Sequence, residues 1–329
     1  MSFPSTAQIA FAMDAQTSAF EADVLNGLAQ PVKTLPSRWL YDDIGSALFE
    51  QITALPEYYP TRTETAILKE HAASLAAFCG QQSIIVEYGA GAIVKTGILL
   101  DALQEPSLYI PVDIAGDFLA QSIQQLRSSF QRLDILPIAA DFTQHFPMPT
   151  ELPEGLQRVG VFLGSTIGNL NKDEAVKFLN MARQHAQSRT GAFPGKALIG
   201  IDLVKSIDIL LPAYDDAAGI TAAFNLNLLT RINRKLDGTF DLSGFRHEAR
   251  WNETESAIEM HIVSETNQRV SVGRKEFTFA KGESIQTESS RKYTLEQFAD
   301  IARRGGWEIA GSWTDRDHLF AVAGLVEAK

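Results

Sequence analysis

The chain of 329 residues contains one cysteine, Cys79, and lacks any run of about 18 consecutive apolar residues. A single cysteine permits no intramolecular disulfide, which fits a reducing compartment. The missing apolar run excludes a membrane-spanning helix. No basic segment followed by an apolar run opens the sequence, so we read no signal peptide. We therefore expect a cytoplasmic protein that has no membrane partner.

Positive charge is also scarce, with 29 lysines and arginines against 40 aspartates and glutamates and a formal net charge of −11. Nucleic acids and anionic membrane surfaces are bound through basic patches, so both are disfavoured as partners. None of the six histidines lies in a metal-ligand spacing such as His-Glu-x-x-His, and we predict no metal site. We expect a monomer that acts on a small molecule.

Short apolar runs alternate with helix-compatible segments from about residue 62 to residue 202. These runs are rich in Ile, Val and Leu and occupy residues 84–86, 108–112, 135–139, 159–163 and 197–201. Apolar runs without clean alternation are typical of parallel strands that helices cover on both faces. A helix over residues 63–78 precedes the first of them. The pattern predicts an α/β fold with a doubly wound, Rossmann-like domain.

The pattern changes after residue 203. Residues 206–235 read as helical, and Ile258, Met260 and Ile262 then alternate with polar neighbours, as in an antiparallel strand with one wet face. A helix over residues 295–304 precedes a predicted hairpin of residues 307–313 and 319–325. We therefore assign residues 62–202 and 293–329 to the Rossmann-like domain. Residues 1–61 and 203–292 form a second, α+β domain made of the N-terminal segment and an insertion.

Gly89 and Gly91 directly follow the first predicted strand and precede a helix. Glycines at this point let the chain turn sharply and let a ligand approach the backbone. Asp113 ends the second strand, where a carboxylate accepts the ribose hydroxyls of an adenosine ligand. Asp141 and Phe142 follow the third strand, a place that often contacts the adenine. These features indicate a nucleoside site, with an ordinary glycine turn beside unrelated carboxylates as the alternative.

Val94 stands where the Gly-x-Gly-x-x-Gly fingerprint requires its third glycine. That glycine allows close helix–strand packing around a pyrophosphate, so valine disfavours a dinucleotide and with it a nicotinamide oxidoreductase. S-adenosylmethionine carries no phosphate, and an acidic loop suits its sulfonium charge. The combination favours an S-adenosylmethionine-dependent methyltransferase.

The fourth predicted strand runs into a polar loop that contains Ser165, Thr166 and Asn169. Ligands of open α/β sheets bind at the carboxyl ends of the strands, so this loop is expected to face the same crevice as Gly89. It could hold a small polar substrate. Equally, its side chains could cap the following helix, with Asn169 as the N-cap.

Five further residues have ordinary structural explanations when each is considered alone. Tyr58 and Tyr214 fit core tyrosines whose hydroxyls are satisfied, and Met260 fits a filler of the core. The segment that contains Glu288 and Ser290 reads as a solvated loop.

Longer segments make the sequence recognisable: WLYD at 39–42, LPEYYPTRTE at 55–64, FLGSTIGN at 162–169 and AYDDAAGITAAFN at 213–225. They resemble the histidine Nα-methyltransferases of ergothioneine biosynthesis, and the match runs from about residue 20 to the C-terminus. The resemblance implies a class I methyltransferase domain and a second, substrate-binding domain. It also implies three successive methyl transfers from S-adenosylmethionine to the α-amine of L-histidine, giving hercynine, with S-adenosylhomocysteine as the other product.

The resemblance implies roles for individual residues. Those expected to line the cofactor site are Tyr41, Gly89, Lys95, Asp113, Asp141, Phe142 and Gly164. Those expected around the carboxylate and amine of the amino acid are Tyr58, Asn169 and Tyr214, and those at the imidazole are Glu288 and Ser290, with Met260 packing beside it. Tyr41 and Tyr58 are the catalytic candidates, because one of them, or a water, could relay the proton that the ammonium group loses before attack.

Glu288 and Ser290 suit an imidazole, since a carboxylate and a hydroxyl can satisfy both ring nitrogens. The charge of Glu288 alone would favour a ring that is protonated on both nitrogens. The main alternative is an N-methyltransferase of the same superfamily that acts on another amino acid, such as tryptophan or a derivative. An indole offers a single donor and leaves one member of the Glu/Ser pair unsatisfied. A binding protein that has lost turnover is a third possibility.

Overall fold

The computed structural model describes residues 6–91, 94–103, 105–114, 116–188 and 191–328. The chain divides into two compact units. The smaller unit consists of residues 1–59 and 206–289, and the larger unit of residues 60–205 and 290–329. Each boundary lies within three residues of the one expected from sequence. That the smaller unit binds the acceptor stays a prediction.

Strands and helices occur in both units. In the described part of the chain the strands are β1 Lys33–Thr34, β2 Ile84–Tyr88, β3 Leu108–Asp113, β4 Asp134–Ile135, β5 Ile138–Ala139, β6 Arg158–Phe162, β7 Lys196–Asp202, β8 Phe245–Asn252, β9 Ala257–Ser264, β10 Gln268–Val272, β11 Lys275–Phe279, β12 Ser284–Arg291, β13 Trp307–Thr314 and β14 Phe320–Glu327. The α-helices are α1 Thr6–Leu28, α2 Asp43–Thr53, α3 Tyr59–Glu70, α4 Ala72–Cys79, α5 Val94–Ala102, α6 Gly116–Ser129, α7 Lys172–Ala186, α8 Ile207–Tyr214, α9 Ile220–Leu236 and α10 Leu295–Arg304.

The larger unit is built on one eight-stranded sheet. Its order is β13-β14-β7-β6-β2-β3-β4, and β5 also pairs with β3. Strands β2 to β7 pair in parallel, whereas β14 runs antiparallel to β7 and to β13. The C-terminal hairpin therefore returns to the sheet beside β7, as predicted. The Rossmann-like α/β architecture is confirmed.

Strand β2 shows why the predicted strands lack alternation. Ile84 and Val86 face a core that also contains Phe178 of α7 and Phe298 of α10. Ile85, between them, faces a second core that lies on the other side of the sheet. Because helices cover both faces, every residue of the strand is buried. This places the carboxyl end of β2 at the rim of a rigid sheet.

Three predicted elements are interrupted in the structure. The helix expected over residues 63–78 is two helices, α3 and α4, separated at His71. The strand expected over residues 135–139 is divided into β4 and β5 around Pro137, which has no amide hydrogen for the ladder. The helical stretch 206–235 is likewise two helices, and Gly219 before α9 has a φ of +73°.

The smaller unit contains a four-stranded sheet of order β1-β12-β9-β8 and the separate hairpin β10-β11. Helices α8 and α9 pack against β8 and β9. Met260 and Ile262 of β9 are buried, as predicted. His261 between them is buried too, and its Nδ1 lies 3.1 Å from Ser284 Oγ on β12. The outer face of β9 is therefore less wet than alternation suggested.

None of the described helices combines the length and the apolar character that a membrane crossing requires.

Candidate active site

The predicted nucleoside loop begins where β2 ends. Gly89 and Gly91 both have positive φ, at +66° and +44°. The amide of Gly91 donates to Asp113 Oδ2 at 3.1 Å, and the amide of Gly89 donates to the Val112 carbonyl at 2.8 Å. A Cβ added at Gly89 would lie 3.3 Å from the ring of Phe142. The structure thus brings three of the predicted cofactor residues, Gly89, Asp113 and Phe142, to one place.

The continuation of this loop is only partly described. Ala92 and Ile93 lie outside the described residues, and so does the side chain of Val94, although α5 begins at Val94. The argument that Val94 disfavours a pyrophosphate therefore rests on sequence alone.

Glu87, which leads into the loop, is buried beneath it. Its two carboxylate oxygens accept hydrogen bonds from the hydroxyls of Thr96 and Tyr109. Burial raises the pKa of this carboxyl to about 7, even though both hydroxyls favour the charged form. Glu87 ties α5 and β3 to β2, so its role is to support the loop from below.

Asp141 and Phe142 follow β5. Asp141 Oδ1 accepts from the amide and the hydroxyl of Thr143, at 2.9 and 2.6 Å, which closes a tight turn. The ring of Phe142 packs edge-on against Phe162 of β6, with centroids 5.3 Å apart. Phe142 is thus held beside Gly89.

Lys95 and Gly164, both predicted cofactor residues, meet at one buried carboxylate. Glu64 of α3 is fully buried, and its Oε2 lies 2.6 Å from Lys95 Nζ. The amide of Gly164 donates to both oxygens of Glu64, at 2.9 and 2.8 Å. A Cβ at position 200 would collide with this carboxylate at 2.0 Å, so Gly200 makes the room for it. Sequence reasoning did not single out Glu64.

The loop after β6 has two structural features that bear on Asn169. Ser165 has a left-handed backbone, and a 3₁₀ turn over Thr166–Asn169 follows it. The N-cap of α7 is Asn171, whose side chain accepts from the amides of Asp173 and Glu174 in a capping box. Asn169 therefore does not cap the helix, which removes the structural alternative for that residue.

Gly168 in this loop allows β12 to approach. A Cβ at Gly168 would lie 2.7 Å from the Arg291 carbonyl, and Arg291 Nη1 donates to the Leu170 carbonyl at 3.1 Å. The end of β12 that carries Ser290 is thus next to the loop that carries Asn169. The segment expected to be a solvated loop is a strand with Glu288 and Ser290 both buried, because β12 pairs within the sheet of the smaller unit.

Within the smaller unit, Tyr41, Tyr58, Tyr214 and Glu288 form one cluster. The rings of Tyr58 and Tyr214 meet edge-on with centroids 6.1 Å apart. Burial raises the pKa of the Tyr41 phenol well above its usual value, and the charge of Glu288, a hydrogen bond to it and both other tyrosines add to the effect. Tyr41 therefore stays a phenol that donates to Glu288. Sequence comparison had placed Tyr41 with the cofactor; the described contacts connect it to the residue expected at the imidazole.

A chain of buried hydrogen bonds supports this cluster. Thr287 Oγ1 donates to Asn225 Oδ1 at 2.6 Å, and Asn225 Nδ2 donates to His247 Nδ1 at 2.8 Å. His247 Nε2 faces the Tyr214 carbonyl at 2.8 Å, which assigns the ring proton to Nε2. Thr287 also donates to the Met260 carbonyl at 3.1 Å. The network fixes the backbone at Tyr214, at Met260 and beside Glu288, and no local sequence pattern signals it.

No group of three or more His, Cys, Asp or Glu side chains suited to hold a metal ion occurs among the described residues.

Fold and loop together define the class, a Rossmann-like α/β protein with a glycine turn after β2 that is bonded to the carboxylate at the end of β3. Comparison with known proteins gives the family. The family described as histidine-specific methyltransferase, SAM-dependent, matches residues 20–327. The chain belongs to this family, and its methyl donor is S-adenosylmethionine.

Known relatives agree with this assignment. The histidine N-alpha-methyltransferase of Mycobacterium tuberculosis (strain CDC 1551 / Oshkosh) is 40% identical over 317 residues, which cover 94% of this chain and 95% of the relative. The protein of the same name from Mycolicibacterium smegmatis is 40% identical over 310 residues, 92% of this chain and 94% of the relative. Ergothioneine biosynthesis protein 1 of Neurospora crassa is 28% identical over 302 residues, 86% of this chain and 32% of the relative.

Proposed function

We propose that this protein transfers three methyl groups in succession from S-adenosylmethionine to the α-amine of L-histidine and releases hercynine, in the first step of ergothioneine biosynthesis. The observation that carries the proposal is the placement of Glu288 and Ser290 on one face of β12, in a chain that belongs to the histidine-specific family. A carboxylate and a hydroxyl side by side suit a ring with two polar nitrogens. The names of the relatives support the same acceptor and the same pathway.

The proposed methyl-donor site is the glycine loop with its neighbours. Asp113 is already bonded to the Gly91 amide, which holds its carboxylate at the mouth of the loop for the ribose hydroxyls. Lys95, Asp141, Phe142 and Gly164 surround the same end of the sheet in the larger unit. We assign Tyr41 to the cofactor side as well, on family resemblance.

The proposed acceptor residues are Tyr58, Asn169, Tyr214, Met260, Glu288 and Ser290. Asn169 is assigned to the acceptor on family resemblance, and Asn171, not Asn169, caps α7. Met260 is almost completely buried and bonded through its carbonyl to Thr287, which supports a packing role for its side chain.

In each transfer the amine lone pair forms the new N–C bond while the C–S bond breaks, and sulfur leaves with the electron pair as S-adenosylhomocysteine. The enzyme's main task is to align nitrogen, methyl carbon and sulfur. The ammonium form must lose a proton first. The raised pKa of Tyr41 argues against a tyrosinate base at that position, so Tyr41 and Tyr58 act as hydroxyls that pass the proton along.

A mass measurement tests the proposal directly. The protein is incubated with S-adenosylmethionine and each amino acid in turn, tryptophan included, and products heavier by one, two or three methyl groups are sought. Trimethylated product from histidine alone is expected. Methylation of tryptophan in preference to histidine would establish the other acceptor, and no mass change with any amino acid would refute the assignment.

The proposal includes a monomer that works in the cytoplasm, in which the larger unit supplies most of the donor residues and the smaller unit most of the acceptor residues. Cys79 is buried, and burial raises the pKa of its thiol to about 12, so it is poorly suited to form an intermolecular disulfide. Light scattering coupled to size exclusion at several protein concentrations would show whether the 36.1 kDa chain is monomeric.

A further inference from the structure

A buried ion cluster lies behind Ser290, at the end of β7. Lys292 Nζ is 2.8 Å from Asp202 Oδ2, and Lys205 Nζ is 2.5 Å from Asp202 Oδ1. The side chains of Asp202 and Lys292 are 0% exposed and that of Lys205 is 6% exposed. Lys292 Nζ also donates to Ser290 Oγ at 2.8 Å. The donor-site and acceptor-site roles assigned above use none of these three ionisable groups.

The groups of this cluster are charged. Burial lowers the pKa of Lys205 to about 8 although Asp202 opposes the shift, so this amine is still mostly protonated at neutral pH. Burial alone would raise the pKa of Asp202, yet the charges of Lys292 and Lys205 hold it below its usual value. The Lys292 ammonium group that contacts Ser290 is therefore a buried positive charge, which the surrounding protein does not screen as water would.

The bond between Lys292 and Ser290 has a fixed polarity. An ammonium group can only donate, so Ser290 Oγ is the acceptor. The polarised hydroxyl then presents its own O–H as the favoured group towards a further polar partner. A ring nitrogen with a lone pair suits this hydroxyl, whereas a second N–H aimed at the same oxygen would approach the buried positive charge.

Glu288, two residues before Ser290, has the opposite preference, because a carboxylate favours a ring nitrogen that carries a proton. Residues i and i+2 of a strand share one face and lie about 7 Å apart. That is roughly the span of a five-membered ring with one hydrogen bond to each of its two nitrogens. Glu288 accepts a hydrogen bond from an N–H, whereas Ser290 donates one to a nitrogen lone pair. The two side chains therefore favour a ring with one protonated and one unprotonated nitrogen.

We propose that Lys292, held by Asp202, is a specificity-determining positioning residue that makes β12 select the neutral, singly protonated imidazole of the substrate. The inference rests on the proposed function and revises the expectation, drawn from Glu288 alone, that the ring is bound with both nitrogens protonated. It predicts that a neutral azole with one N–H and one acceptor nitrogen is bound as well as histidine itself. It also predicts that acid weakens histidine binding through the ring.

The test compares histidine with 1,2,4-triazol-3-ylalanine, whose ring stays neutral between pH 6.0 and 7.5. KM, or the inhibition constant if the analogue is not methylated, is measured for both at each pH. For the unaltered enzyme the histidine KM rises about fourfold on going to pH 6.0, because the neutral fraction of a ring with a pKa of about 6.5 falls by that factor. The constant for the triazole analogue stays unchanged. The triazole constant is therefore the reference for any effect of pH on the protein itself. The charged or ionisable protein groups around the pair include Tyr41, Asp202, Lys205, Arg291, Tyr293 and Asp315.

In Lys292→Met the histidine KM no longer rises towards pH 6.0, because the site then tolerates the protonated ring. The double variant Asp202→Asn/Lys292→Met is expected to give the same result. Because it also removes the buried carboxylate that loses Lys292, it can be used if the single variant does not fold. Lys205→Met is the matched variant, since it removes the other ammonium of Asp202 and keeps the Lys292–Ser290 bond; it retains the rise.

Three results would overturn the inference: a histidine KM in the unaltered enzyme that is flat or falls towards pH 6.0, failure to bind the triazole analogue, or a full rise that persists in both Lys292 variants. Any of these can occur in an enzyme that trimethylates histidine. Failure of the proposed function is different, since it would appear as no methylated histidine at either pH.

Discussion

At the scale of single residues, the Glu288 carboxylate accepts hydrogen bonds from two partners. It receives the hydrogen bond of the Tyr41 phenol, and in our proposal it also receives an N–H of the substrate imidazole. A carboxylate can accept several hydrogen bonds at once, so the two roles are compatible. Tyr41 then fixes the orientation of Glu288 as much as it contributes to proton transfer.

Glu288→Ala is expected to raise the KM for histidine about 10- to 100-fold, because a hydrogen bond to a charged group contributes about 1.5–3 kcal/mol. Cofactor binding is expected to change little, because the variant keeps Tyr41 and every other residue assigned to the donor site. Initial rates at saturating S-adenosylmethionine give KM, and calorimetric titration with S-adenosylhomocysteine gives the cofactor affinity. An equal loss in both would show that Glu288 belongs to the donor site.

Glu64→Gln is expected to produce the reverse pattern. The amide cannot pair with the Lys95 ammonium ion, and its NH2 group would face the Gly164 amide donor. We expect the KM for S-adenosylmethionine to rise about tenfold, in line with the loss of one buried charged contact, while the histidine KM stays within about twofold. Glu70→Gln is the matched control, since Glu70 is exposed on the same helix. A histidine KM that moves as far as the cofactor KM would contradict the assignment of Glu64 to the donor side.

At the scale of secondary-structure elements, helix α9 connects three strands to the acceptor cluster through a single side chain. Asn225 is fully buried and bonds to Thr287 of β12, to His247 of β8 and to the backbone of β9. Because His247 in turn faces the Tyr214 carbonyl, the position of α8 also depends on this amide.

Asn225→Ala is expected to lower the free energy of unfolding by about 2–4 kcal/mol, since it leaves buried polar groups on Thr287 and His247 without their partner. The histidine KM should rise at the same time, because Tyr214 and Glu288 lose a common support. Urea unfolding and steady-state kinetics measure the two effects. Asn233→Ala in the same helix removes an amide that bonds only at Phe240 in the described contacts, and it should destabilise the protein without changing KM. An unchanged histidine KM in Asn225→Ala would contradict the prediction, because it would show that the hydrogen-bond network does not support the acceptor residues.

The sequence predicts elements better than it predicts their connections. Apolar runs located the parallel strands because helices bury both faces of β2 and its neighbours. The break at Pro137 was visible in the sequence and was missed, as was the Asn171–Glu174 capping box that starts α7. Reading that box correctly would have removed Asn169 from the capping position and strengthened its candidacy as a substrate residue.

The supporting ion pairs could not be predicted in the same way. Glu64 contacts Lys95 and Gly164, which are 31 and 100 residues away in the sequence. Lys292 directly follows β12 and contacts Asp202, the last residue of β7. Such contacts follow from the order of strands in the sheet, which short-range patterns do not encode. Family resemblance supplied the residues expected to touch ligands but none of those that hold them in place.

At the scale of the whole molecule, pH acts on stability through buried groups of opposite sign. His185 is wedged between Tyr88 and Phe146, with Nδ1 at 3.1 Å from the Tyr88 hydroxyl and Nε2 at 3.1 Å from the Phe146 carbonyl. Burial lowers the pKa of His185 to about 4, although its bond to the Phe146 carbonyl opposes the shift. Below about pH 6.5, His185 therefore binds a proton in the unfolded chain but stays neutral in the folded protein until the pH approaches 4.

The stabilisation that depends on neutral His185 is complete above about pH 6.5 and is lost as the pH falls towards 4. His185→Gln keeps a donor and an acceptor but does not titrate. It should be less stable at pH 7, because ring packing is lost, and should show a shallower decline of the free energy of unfolding between pH 6.5 and 4. Urea titrations at half-unit pH intervals measure the slope, and a slope as steep as that of the unaltered protein would contradict the assignment.

Glu87 acts in the other direction over the same interval. Burial raises the pKa of its carboxyl to about 7 from an ordinary value of 4.5, so between these values the folded protein holds a proton that the unfolded chain has released. Its contribution to stability is complete below about pH 4.5 and is lost as the pH rises through 7. Glu87→Gln removes that compensation, so the decline towards acid should become steeper than in the unaltered protein, by up to about 1.4 kcal/mol per pH unit. Because His185→Gln and Glu87→Gln change the same slope in opposite senses, general destabilisation by mutation cannot reproduce both results. A shallower slope in Glu87→Gln would mean that the carboxylate under the glycine loop stays ionised in the folded protein, and the loop would then rest on a buried negative charge next to Asp113.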